Sequence, residues 1–62
     1  MDASYYFDYL KDFLTECDDP RKDDDGFIRD RAEYAASVYE REQQAGTIAP
    51  GEVAIHVLME GL

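Results

Sequence analysis

Apolar residues recur every three or four positions in three separate runs, and two breaks divide them. This constrains the fold most, because apolar side chains at that spacing line one face of an α-helix, whereas strands need strict alternation. In the first run Tyr6, Leu10, Phe13, Leu14 and Cys17 stand at i, i+4, i+7, i+8 and i+11, predicting a helix over residues 4–17 with these five facing the core. Asp2 or Ser4 is placed to cap its start. The second run places Ile28, Ala32, Ala35 and Tyr39 on one seam, widened by Phe27 and Val38, and predicts a long helix over 26–45. Its small Ala32, Ala35 and Ala36 allow a second helix close approach, Asp24 or Asp25 caps its start, and Gly46 supplies a left-handed stop.

After the link Thr47–Ile48–Ala49, Pro50 suits the first turn of a third helix over 50–60. There Val53, Ala54, Val57, Leu58 and Leu62 form the core face and Gly61 marks the end. The stretch Asp18–Gly26, with a proline, a glycine and five aspartates, reads as an exposed loop. The expected architecture is all-α: one small three-helix domain over 1–62 with a long central helix. Sixty-two residues give a core near the lower limit for independent folding.

Charge bears on function more than on fold. The chain carries a net charge of −9. Residues 1–26 hold the acids Asp2, Asp8, Asp12, Glu16, Asp18, Asp19, Asp23, Asp24 and Asp25 against Lys11, Arg21 and Lys22, so the field is concentrated in the first part of the chain. Such a surface repels nucleic acid and anionic membrane and attracts cationic partners. The single Cys17 has no cysteine to pair with, and its position on the apolar stripe predicts a small buried side chain. Without a leader-like or membrane-spanning apolar stretch, the chain is expected in the cytoplasm.

Several patterns invite a chemical reading. With Gly26 at the sixth position of an EF-hand calcium loop, Asp23 and Asp25 fall correctly, but Arg21 takes the first ligand position and Ala32 the last, which removes two required oxygens. Glu52, His56 and Glu60 share one helical line, yet a zinc site needs further ligands from elsewhere, so an exposed polar edge is expected. One histidine, one cysteine and no phosphate loop leave little with which to build a catalytic pocket, so no enzyme, metal or cofactor is expected.

Asp8, Asp12 and Glu16 form a carboxylate line along the first helix, continuing toward Asp19 and the Asp23, Asp24 and Asp25 loop. Four residues rise about 6 Å along a helix. That is close to twice the roughly 3.4 Å spacing of phosphates along one DNA strand, so the line can imitate a phosphate row. Tyr5 and Tyr9, one turn apart and off the core stripe, are expected outside as aromatic anchors.

The positions Phe27–Ile28–x–x–Arg31–Ala32–x–x–Ala35–x–x–x–Tyr39–Glu40, then Gly46, then Glu52–x–Ala54–x–x–Val57–Leu58–x–x–Gly61–Leu62, with the aromatic opening Ser4–Tyr5–Tyr6, Leu10 and Leu14, resemble the small helical proteins of unknown function carried by conjugative elements of Bacteroidetes. The resemblance implies an α-helical fold and a mobile-element setting, and no activity. Together these readings anticipate an acidic, non-enzymatic protein-binding module that contacts a basic surface on a nucleic-acid-handling protein, as an anti-CRISPR-like or DNA-mimic inhibitor would. Its binding residues are expected to be Tyr5, Asp8, Tyr9, Asp12, Glu16, Asp19, Asp23, Asp24 and Asp25. The alternative is an assembly module that pairs through an apolar helical face with itself, as a homodimer, or with a host subunit.

Overall fold

In a computed structural model, which describes residues 2–46, 50–60 and 62, three α-helices pack around one core. They are α1 (Ala3–Glu16), α2 (Asp25–Gln44) and α3 (Pro50–Met59), and a short 3-10 turn (Pro20–Asp23) precedes α2. Among the described residues there is no strand. The expected all-α domain with a long central helix is the observed one. The link at Thr47–Ile48–Ala49 and the stop at Gly61 lie outside the described residues.

Tyr6, Leu10 and Leu14 of α1, Ile28, Ala32 and Ala35 of α2, and Ala54 and Leu58 of α3 are fully buried and form the core. Helix α2 is the spine. It packs against both α1 and α3, while α1 and α3 touch each other less. Ala32 and Ala35 lie on its buried face, where small side chains admit both neighbours; Val38 is also buried, and Tyr39, Ala36 and Phe27 pack at the margin.

The ends of the helices follow local chemistry. Asp2 caps α1 by accepting from the Tyr5 amide at 3.3 Å, and Asp24 caps α2 by accepting from the Phe27 amide at 3.1 Å. At the end of α1, Asp18 takes a left-handed conformation (φ 53°), its amide donating to the Thr15 carbonyl and that of Asp19 to the Leu14 carbonyl. This is a Schellman stop built on an aspartate rather than a glycine. Gly46, at φ 75°, ends α2 as expected.

Four side chains depart from expectation. Cys17 is exposed, not buried: it is the C-cap of α1, past Leu14, the last core position of that helix. Phe13 is 38% exposed, since it lies about 60° around the helix from Leu10, on the flank of the stripe rather than at its centre. Val53 is likewise 36% exposed on α3, and Val57 is only half-buried, so Ala54 and Leu58 carry that helix's core face.

Candidate functional site

The outer face of α1 carries two adjacent rows. Tyr5, Tyr9 and Phe13, each four residues apart, form an exposed aromatic row, and the Tyr5 and Tyr9 ring centroids lie 6.4 Å apart. Asp8, Asp12 and Glu16 form the second row, also exposed. Among the described residues none of these three carboxylates enters an ion pair. Tyr9, Asp12, Phe13 and Glu16 together line a shallow recess of about 310 Å³ where the rows meet. Phe13 is the member that sequence reasoning placed in the core. Its one-turn spacing from Tyr9 is the signal that joins it to the exposed row.

The loop aspartates are employed differently. Asp19 accepts from the Arg21 backbone amide at 2.9 Å and holds the Arg21 guanidinium through two further bonds, Nε at 2.9 Å and Nη2 at 2.7 Å. The side-chain bond from Arg21, followed by its backbone amide, draws the Asp19 carboxyl down from 3.8 to about 2. Asp25 binds the Lys11 ammonium at 2.9 Å, and Lys11 also donates to the Lys22 carbonyl, so one lysine ties α1 to the turn and to α2. The Asp25 bond raises the Lys11 pKa. Asp18 pairs with Lys22, and Asp24 is the α2 cap. Of the four candidate acids outside α1's outer row, only Asp23 has neither an ion pair nor a capping bond among the described residues; Asp19, Asp24 and Asp25 serve the fold, so of the candidate acids the α1 row and Asp23 are left facing outward.

A family model described as "Domain of unknown function (DUF1896)" matches residues 1–62. The chain belongs to the DUF1896 family. No curated protein and no solved structure matches it. The resemblance to a small helical family of unknown function therefore holds for the whole of this DUF1896 chain.

Elsewhere in the DUF1896 domain, Glu52 and His56 are exposed on α3 and Glu60 is exposed in the turn just past its end, and among the described residues no three His, Cys, Asp or Glu side chains are grouped to hold a metal ion. No described helix is long and apolar enough to cross a membrane. The Tyr6 hydroxyl is buried with no hydrogen-bond partner among the described residues, and its burial raises the phenol pKa. Helix α3 is secured by Arg31, whose guanidinium reaches the carbonyls of Val57, Leu58 and Glu60.

Proposed function

We propose that this DUF1896 chain is an acidic, non-catalytic docking module that binds a basic protein surface through the outer face of α1. One observation carries the reading: the aromatic row Tyr5, Tyr9, Phe13 stands exposed beside the carboxylate row Asp8, Asp12, Glu16, while Asp18, Asp19, Asp24 and Asp25 of the following turn are engaged in a cap and ion pairs. Aromatic side chains supply large contact area at low entropic cost, and flanking charge steers encounter and fixes register. A surface that combines the two fits a partner presenting cations on an apolar ground.

The regular rise of the acidic row supports a partner that otherwise holds nucleic acid, because carboxylates spaced about 6 Å apart occupy positions a basic groove offers to alternate phosphates. Inhibition or regulation of such a protein, in a phage or conjugative-element setting and in the cytoplasm, is the finer form of the proposal. An anti-CRISPR-like inhibitor is one case of it. A second reading, an assembly module that uses an apolar face, has its own support in Tyr34, 55% exposed on α2, beside Val57 of α3.

The two separate by footprint. A partner retained at low salt from cells that carry the chain is purified and added to the isotopically labelled domain. The docking reading expects amide shifts and exchange protection at Tyr5, Asp8, Tyr9, Asp12, Phe13 and Glu16. Protection confined to Tyr34, Val53 and Val57 replaces it with the assembly reading.

A further inference from the structure

We infer that the recess lined by Tyr9, Asp12, Phe13 and Glu16 is a receptor for one arginine side chain of a protein partner, an inference that rests on the docking reading of α1. The chain's own cations show which surroundings suit such a group. Arg21 lies over the Phe27 ring at 5.7 Å while Asp19 holds its guanidinium, and Arg31 lies over the same ring at 5.5 Å while backbone carbonyls accept its hydrogen bonds. Lys11 stands 6.0 Å from the Phe7 ring and is held by Asp25. In each case a cation meets a ring and an oxygen acceptor together, the arrangement in which ring attraction and charge-assisted hydrogen bonding add.

Tyr9 and Phe13 with Asp12 and Glu16 present the same pair of elements on the outside of α1, and no cation of the described chain enters them. Rings and carboxylates alternate around the helix: Tyr9 and Phe13 are one turn apart, as are Asp12 and Glu16, so a group entering between them meets a ring on one side and a carboxylate on the other. A recess of about 310 Å³ has room for a guanidinium and its stem. A planar guanidinium stacks on a ring and donates hydrogen bonds within its own plane at the same time, which a compact, strongly hydrated ammonium does less well. Arginine is therefore the favoured occupant over lysine. A second copy of this chain is disfavoured, since its net charge of −9 sets like charge against like.

The test uses the full chain, isotopically labelled, and two alanine-based helical peptides that differ only in carrying arginines or lysines at i and i+4. The arginine peptide should give saturable amide shifts centred on Tyr9, Asp12, Phe13 and Glu16, with an affinity about fivefold above that of the lysine peptide. The paired substitution Tyr9→Ala/Phe13→Ala should abolish that preference while leaving the chain's helical spectrum intact, and Asp12→Asn/Glu16→Gln should weaken both peptides. Equal binding of the two peptides, shifts spread over Asp30, Glu33 and Glu40 as well, or arginine selectivity that survives loss of both rings would each overturn the inference. The docking reading is judged separately by the footprint of the native partner, so a failure here does not decide it.

Discussion

Arg31 on α2 and Leu58 on α3 are joined across 27 residues by a bond from the guanidinium Nε–H to the Leu58 carbonyl at 2.9 Å, with Nη2 donating to Val57 at 3.2 Å and also to Glu60. The last carbonyls of a helix lack partners within it and carry partial negative charge, so a fixed cation there both satisfies and neutralises them. The short α3 is thereby fastened at its end as well as by its core residues Ala54 and Leu58.

Arg31→Ala should destabilise the domain by about 2 kcal/mol in urea unfolding, the range for hydrogen bonds made by a charged group. Arg31→Lys should recover less than half, because an ammonium cannot reproduce the fork that reaches several carbonyls at once. Amide exchange in α3 should accelerate more than in α1.

Leu10→Ala and Phe13→Ala should part company. Leu10 is fully buried, and its truncation should cost about 3 kcal/mol through lost burial and a residual cavity. Phe13 is 38% exposed, so its truncation should cost under about 1 kcal/mol, and the difference is read from thermal or urea midpoints. If Phe13 instead proved as costly as Leu10, the aromatic row would belong to the core.

Two turn positions should respond with opposite sign. Asp18 pays for a left-handed conformation that glycine adopts freely, so Asp18→Gly should stabilise by about 0.5 kcal/mol even after its exposed pairing with Lys22 is lost. Gly46 has φ 75°, and Gly46→Ala should destabilise by about 1 kcal/mol.

The helices were legible because burial on one side imposes a 3.6-residue period, which Tyr6, Leu10, Leu14, Ile28, Ala32 and Ala35 keep. The Asp24 cap was legible too, since its chemistry is local. The period does not distinguish the centre of a stripe from its edge, so Phe13 and Val53 were assigned inward when each lies at a margin. Pairings such as Arg31 with Leu58 or Lys11 with Asp25 depend on how elements turn back on one another, and no local pattern announces them. For the same reason the loop aspartates read as a continuous acidic surface, whereas the turn binds Asp19 to Arg21 and Asp18 to Lys22.

Asp19 gives the domain a specific acid sensitivity. Its carboxyl is ionised in the fold down to about 2, against 3.8 when free, so the pair with Arg21 contributes stability that is whole above roughly pH 4 and lost as pH falls through 2. A carbon-detected titration should place the Asp19 midpoint near 2, and Asp19→Asn should remove this part of the acid dependence. A midpoint near 4 would mean that the pair does not hold in solution.

The proposed contact between the outer face of α1 and a cationic protein is decided by affinity for the purified partner, measured for four chains at low and moderate salt. Asp8→Asn/Asp12→Asn/Glu16→Gln and Tyr5→Ala/Tyr9→Ala should each weaken binding at least about tenfold, Tyr34→Ser should not, and native binding should fall steeply as salt rises. Affinity indifferent to salt and to both α1 variants, but lost with Tyr34→Ser, would move the contact from α1 to the α2–α3 face.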